Sequence, residues 1–379
     1  MELKDIRKEI DGINDEILRL FLRRMELSEQ AAEEKQRLGL AVLDCARERE
    51  ILASVQEKAG DNGKYAYYLF SRIMNLSRAR QSEIMCSSSG YIDSSIAEIL
   101  AGEDELFPQS GTVACQGVEG SNAQEACDKL IPRGNIMYVR SFEAVFDAVE
   151  SGLCSFGVLP IENGTNGSVR AVYELLQKKK CHIVRSTTLH IRHELLAKPG
   201  TRLEDIRVIY SHEQAIGQCS RYLGTLGDVR LVPSENTAAA AKMVSESEDR
   251  CIAAVASPRC SQLYGLKTLK SDIQDSENNY TRFICIAKEP VLYAGANRMS
   301  IILSCENRPG SLNDILSILS ANGVNMSKLE SCPIPGSDFE FMFFLELDTG
   351  LREPGAAAML EELRRASRDL IFLGSYAAV

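Results

Sequence analysis

Apolar residues recur along the start of the chain at steps of four and three, through Ile6, Ile10, Ile13, Ile17 and Leu20. That spacing lays one apolar stripe along a long amphipathic helix, which runs to about Leu38 and is ended by Gly39. Asp44 is placed to cap a second helix, and the turn Gly60-Asp61-Asn62-Gly63 introduces a third, to about Met85. Three helices, one of them on the order of 50 Å long by helix rise, cannot enclose that stripe among themselves. An intertwined dimer is the natural way to bury it.

The polar positions on these helices form a second pattern. Arg24, Ser28, Ala31 and Lys35 recur at four, three and four, so Arg24 and Lys35 share a helix face, roughly 16 Å apart. Arg7 lies about 25 Å from Arg24 along the axis and on a different side, so in a shared site it must serve a partner chain. Arg47 and Glu48 open the second helix, Ser77 and Gln81 stand one turn apart on the third, and the first histidine of the chain is His182. Such a set suits a small polyanion. By spacing alone, the solvated faces of a plain dimerisation module explain it at least as well.

Residues 87–110 contain Asp93, Glu98, Glu103, Asp104 and Glu105 and no base, between Ser87-Ser88-Ser89-Gly90 and Pro108-Gln109-Ser110-Gly111. This is expected to be an acidic linker with one short helix near 96–100. Strand-like runs then follow at 112–115, 136–139, 156–159, 182–187, 208–210, 230–232 and 251–256, separated by helical stretches at 122–130, 142–149, 171–178, 213–223 and 237–245. The alternation predicts parallel or mixed sheets covered by helices, with ligands at strand C-terminal ends and helix N-termini. The last segment reads strand 298–305, helix 309–321, strands 324–330 and 339–347, helix 356–367 and strand 370–376, a ferredoxin-like β-α-β-β-α-β order.

Composition narrows the class. A chain of 379 residues with 45% hydrophobic content supports two or three domains, and its net charge of −10 argues against a nucleic-acid partner. Twelve scattered cysteines without a Cys-x-x-Cys pair, no signal segment and no apolar run of membrane-spanning length make a cytoplasmic protein with buried thiols the expectation. His182, His190 and His193 lack a supporting acid cluster, so neither a metal nor another cofactor is expected; His212 is placed to cap the helix beginning near Glu213.

The helical residues resemble the all-helical chorismate mutase family, whose pattern is matched by Arg7, Arg24, Lys35, Asp44-Cys45-Ala46-Arg47-Glu48, and Ser77 with Gln81. The resemblance implies an all-α three-helix domain over 1–86, an intertwined homodimer or higher homo-oligomer, and chorismate as substrate. It implies that Arg7 of the partner chain and Arg24 hold carboxylates, that Lys35 and Gln81 contact the breaking ether oxygen, and that Glu48, Arg47 and Asp44 surround the ring hydroxyl, with Ser77 in the binding set. An intramolecular rearrangement needs conformer selection and charge stabilisation, with no acid, base or nucleophile.

Residues 111–290 are similar to prephenate dehydratase in the loop 160–169, in Ser211-His212-Glu213-Gln214-Ala215, and above all in Asn279-Tyr280-Thr281-Arg282-Phe283. That family implies an α/β domain of two lobes like a periplasmic binding protein, with prephenate in the cleft. By resemblance Thr281 donates to the departing ring hydroxyl. Glu162, Asn163, Thr165, Ser168 and Arg282 are the candidate binding residues. Where the family continues Gly, small residue, aromatic, Ser, this chain has Gly120-Ser121-Asn122-Ala123-Gln124.

Residues 297–379 resemble the ACT domain in Arg308-Pro309-Gly310-Ser311-Leu312 and Glu330-Ser331-Cys332-Pro333, with Cys332 replacing the family's arginine. Gly310, Ser311, Leu312, Glu330 and Ser331 are the implied effector contacts, and phenylalanine is the implied effector. The whole pattern is that of a bifunctional enzyme of phenylalanine biosynthesis. A non-catalytic amino-acid sensor and an arogenate-preferring dehydratase are the rival readings.

Overall fold

The computed structural model describes the chain apart from residues 1, 87–91, 104, 165–166, 308–309 and 334–340 and the side chains of residues 45 and 86. Thr165, the stretch 87–90, Asp104, Arg308-Pro309 and the expected strand start at Phe339 therefore lie outside the described residues. The chain forms two compact units, residues 1–103 with 301–371, and residues 104–300 with 372–379.

The first unit begins with α1 (Leu3–Leu38), α2 (Cys45–Lys58) and α3 (Gly63–Cys86). Gly39 stops α1 in the left-handed region at φ 67°, and the Asp44 carboxylate caps α2 by accepting from Arg47 N at 3.0 Å. Both α1 and α2 pack on α3. Along α1 the buried residues are Ser28 and Ala32, while Ile6, Ile10, Ile13 and Ile17 stay exposed in the single chain.

The short helix expected in the acidic stretch is α4 (Ser94–Ala101), capped by Asp93 and anchored by buried Ile96. Arg352 donates to the carbonyls of Leu100 and Gly102, and Arg364 lies 3.9 Å from Asp93. In the second unit Phe107 is buried against Phe156 and Tyr293.

The second unit contains β1 (Ser110–Gln116), α5 (Asn122–Leu130), β2 (Arg133–Val139), α6 (Phe142–Glu150), β3 (Phe156–Asn163), β4 (Gly167–Ser168), α7 (Arg170–Lys178) and β5 (His182–His190). It continues through β6 (Glu194–Ala197), β7 (Val208–Ser211), α8 (Glu213–Gln218), α9 (Ser220–Gly224), β8 (Arg230–Pro233), α10 (Thr237–Glu246), β9 (Ile252–Ala256), α11 (Pro258–Leu263), β10 (Lys267–Lys270) and β11 (Tyr280–Ala287). Two mixed sheets result. One has the order β5-β11-β3-β1-β2 and the other β10-β6-β9-β7-β8, each with its own apolar core. The chain leaves the first sheet after His190 and returns at Tyr280, giving two lobes joined by two crossings.

Some of this departs from the sequence pattern. The strands β6 and β10 were not expected, and β6 is buried along its whole length, so it shows no alternation. The expected helix over 213–223 breaks at Cys219, where Asp275 supplies remote partners: its N–H donates to the Gln218 carbonyl at 2.7 Å and its carboxylate accepts from Arg221 N at 3.0 Å.

The C-terminal segment runs β12 (Arg298–Ser304), α12 (Ser311–Ala321), β13 (Met326–Pro333), β14 (Phe341–Leu347), α13 (Ala356–Ala366) and β15 (Asp369–Ala378), in the expected order. In the first unit α12 and α13 pack against α3. In the second, the end of β15 pairs in parallel with β5, and Gly374 comes so near that a Cβ there would lie 2.1 Å from the Ile183 carbonyl oxygen.

Candidate functional sites

In the helical part, α1 and α2 aim their polar residues at α3. Lys35 Nζ donates to Gln81 Oε1 at 3.1 Å and to the Val42 carbonyl at 2.5 Å. Arg24 donates to Ser77 Oγ and, at 3.4 Å, to the Ile73 carbonyl. Ser77 and Gln81 are both buried. Burial pulls the Arg24 guanidinium and the Lys35 ammonium below their ordinary values; Glu48 opposes this at Arg24, and Asp44 and Glu48 oppose it at Lys35.

The structure thus gathers Arg24, Lys35, Asp44, Glu48, Ser77 and Gln81. It leaves two of the sequence candidates apart. Arg47 turns outward to Glu50 at 3.2 Å, and Arg7 stands exposed near the start of α1. Glu48 has a partner that the pattern did not suggest, Arg78 on α3, at 2.6 Å.

The second unit builds its site from the register of β11. Thr281 pairs with Asn163 and Arg282 with Glu162 on β3, while β4 brings Ser168 opposite Glu162. Asn163 Nδ2 donates to Thr281 Oγ1 at 2.9 Å, and Arg282 Nη2 lies 3.3 Å from Glu162 Oε2. Thr165 falls outside the described residues. Ser121 is the N-cap of α5 and accepts from Gln124 N at 3.3 Å, which gives its hydroxyl a local structural role. A bay of 380 Å³ opens beside Asn279, lined by Gln214, Gly217, Gln218, Gln274, Asp275 and Ser276.

Gln218 Oε1 accepts from Asn279 Nδ2 at 3.0 Å and faces His193 Nε2 at 2.9 Å. His193 is buried and its pKa lowered by burial, so it sits there as a neutral donor. Gln218 and His193 were absent from the sequence candidates. The one signal that pointed to this corner was Asn279, two residues before Thr281 on the same chain segment. His212 Nδ1 accepts from Gln214 N at 3.3 Å as the cap of α8, and His190 Nε2 contacts the Glu277 carbonyl at 2.8 Å. Among the described residues no three His, Cys, Asp or Glu side chains form a metal cluster.

In the C-terminal part, Gly310 is the N-cap of α12 at φ 89°, with Ser311 and Leu312 in its first turn. Glu330 and Ser331 lie on β13, opposite Phe344 and Phe343, and Glu330 is 3.8 Å from Lys328.

Partly buried cations on a three-helix scaffold, hydroxyl and amide donors in a two-lobed α/β unit, and a ferredoxin-like end define a fused isomerase and lyase with a small accessory domain. Family models match in that order: chorismate mutase type II over residues 6–82, prephenate dehydratase over 113–291 and the ACT domain over 299–365. The bifunctional chorismate mutase/prephenate dehydratase of Escherichia coli is 28% identical, over 98% of this chain and 95% of its own. Arogenate dehydratase/prephenate dehydratase 2 of Arabidopsis thaliana is 36% identical, over 70% of this chain and 72% of its own. The crystal structure of prephenate dehydratase from Arthrobacter aurescens in complex with L-Phe is 28% identical, with a TM-score of 0.65 over 70% of this chain and 89% of that one. The chain belongs to the prephenate dehydratase family, in the bifunctional form that carries a chorismate mutase domain in front and an ACT domain behind.

If Lys35 donates to the ether oxygen, its lowered pKa sets an alkaline limit to mutase activity. Donation to a developing oxyanion requires the ammonium form, so kcat/KM for chorismate is expected to fall as pH rises, with an apparent pKa below the ordinary 10.5. Asp44→Asn removes a charge that raises this pKa and should move the limb further down. A limb at or above 10.5 would contradict the assignment of Lys35.

Proposed function

We propose that this protein rearranges chorismate to prephenate in its helical domain and converts prephenate to phenylpyruvate in its two-lobed domain, with phenylalanine acting through the ACT domain. The observation that carries the reading is the Asn163–Thr281 hydrogen bond. Because Asn163 Nδ2 donates to Thr281 Oγ1, the threonine's own O–H is released to point elsewhere. Aimed into the cleft, it donates to the ring hydroxyl of prephenate as that group departs. Carbon dioxide leaves, its bonding electrons complete the aromatic ring, and the departing hydroxide takes up a proton to leave as water. Asn163, Ser168 and Arg282, with Glu162 positioning Arg282, supply the remaining contacts, and Thr165 belongs to the same loop.

The mutase step moves no proton. One C–O bond of the enol ether breaks as a C–C bond forms, and negative charge grows on the ether oxygen facing Lys35 and Gln81. Arg24 and the partner chain's Arg7 hold the two carboxylates. The exposed stripe along α1 supports that dimer, because a helix of this length with Ile6, Ile10, Ile13 and Ile17 in water is an incomplete structure. A mutase in the same chain makes prephenate on the spot, which favours prephenate over arogenate for the second step. Phenylalanine is placed by its carboxylate against the first turn of α12, at Gly310 and Ser311, with Leu312 beside its ring and Glu330 and Ser331 on β13. No described helix is long and apolar enough to cross a membrane, and a cytoplasmic location belongs to the same reading.

Lys35→Ala should cost roughly 2–4 kcal/mol of transition-state stabilisation in the mutase, as for loss of an oxyanion donor, and leave turnover of supplied prephenate intact. Thr281→Ala should do the reverse. A folded Thr281→Ala enzyme with normal dehydratase turnover would remove Thr281 from the reaction.

Shared mutase sites make a second, independent prediction. Inactive Arg7→Ala and inactive Arg24→Ala chains, mixed and refolded together, should regain mutase activity, because one site of each mixed dimer keeps both arginines. Mixed dimers that form and stay inactive would rule out sharing.

A further inference from the structure

Residue 78 follows Ser77 on α3, and its side chain serves neither the apolar contacts of that helix nor the solvent. Arg78 Nη1 lies 2.6 Å from Glu48 Oε2 on α2, and Nη2 donates to Asn75 Oδ1 at 2.6 Å. Its Nε lies 3.7 Å from Glu362 Oε1 on α13. The three charged side chains keep only 16%, 22% and 10% of their surface exposed, for Arg78, Glu48 and Glu362, so water screens this triad weakly. A second arginine of α3, Arg72, reaches α12 through Ser317 Oγ at 3.2 Å.

Burial raises the Glu362 carboxyl to about 7 even with Arg78 beside it, and the nearby charge of Glu48 adds to the rise. Two carboxylates thus share one guanidinium. One of them belongs to the candidate mutase site and the other to the ACT domain. The planar fork of arginine makes the sharing possible, because different nitrogens face the two partners; a lysine ammonium is a single point of charge.

We propose that Arg78 is a positioning residue of the mutase site, which fixes the Glu48 carboxylate for the substrate's ring hydroxyl and ties that fixation to Glu362 on α13. The ACT domain thereby acts on chorismate binding through one guanidinium, without touching the substrate. The proposal rests on the reading of Glu48 as a substrate contact.

The test uses the full-length protein and reads mutase kcat and KM separately for Arg78→Met, Arg78→Lys and Glu362→Gln. It adds Glu362→Gln combined with each Arg78 variant, and Glu48→Ala. Dehydration of supplied prephenate and thermal unfolding report on overall integrity. Arg78→Met should raise the chorismate KM roughly tenfold while dehydratase turnover is unchanged, and Arg78→Lys should recover most of that loss by pairing with Glu48 alone. Glu362→Gln should raise KM about threefold in the native background and have no effect once residue 78 is Met or Lys, because the coupling runs through the guanidinium. An effect of Glu362→Gln that persists undiminished in both Arg78 variants would overturn the proposal. So would parallel losses of both activities and of thermal stability in Arg78→Met and Arg78→Lys, which mark a merely structural ion pair. If Glu48→Ala impairs the mutase and the Arg78 variants do not, the mutase reading stands and the proposal falls; if Glu48→Ala leaves KM unchanged, the reading of the site falls and takes the proposal with it.

Discussion

Helix α3 has to satisfy polar groups on two sides at once, and most of the first unit follows from that constraint. Toward α1 it presents Ser77 and Gln81, which receive Arg24 and Lys35. Toward the C-terminal helices it sends Arg72 and Arg78 to Ser317 and Glu362. Partial burial of a cation is costly unless compensated, and it lowers the pKa values of Arg24 and Lys35. Glu48 and Asp44 offset it only in part. On the proposed reading of this site, a bound dicarboxylate supplies further negative charge beside the two cations. On the same reading, catalysis needs no titrating base, only donors in place when charge develops on the ether oxygen.

The second unit solves a related problem with a strand. β11 lies between β3 and β5, and its register decides which side chains meet. A shift of one residue would carry Thr281 to the other face of the sheet and separate it from Asn163. The bulge between Arg282 and Phe283 lets the site end of β11 and its apolar end each keep their own alignment with β3. Beyond the site end, Gln218 joins Asn279 to His193 where the chain crosses between lobes, so one side chain ties both crossings together.

What was legible in the sequence was what depends on near neighbours. The stripe from Ile6 to Leu20, the stop at Gly39, the caps at Asp44 and His212, and the common faces of Arg24 with Lys35 and of Ser77 with Gln81 all follow from spacing within a few turns. Motifs carried Thr281, Arg282 and Asn163, while their mutual contact depends on strand pairing across more than a hundred residues. Arg78 looked like one more charge on an amphipathic helix, because its partners come from α2 and from the far end of the chain. The burial of Phe107 against Phe156 and Tyr293 gave no local signal. The strand β6, buried on both faces, showed no alternation to read.

The central claim is that one chain performs two consecutive reactions under feedback from the final amino acid. It is tested most directly by supplying chorismate to the purified full-length protein and following chorismate, prephenate and phenylpyruvate together, with and without phenylalanine. The account requires chorismate to disappear, prephenate to rise and then fall, phenylpyruvate to appear without any added enzyme, and phenylalanine to slow that appearance. Accumulation of prephenate without phenylpyruvate, or no consumption of chorismate at all, would contradict it.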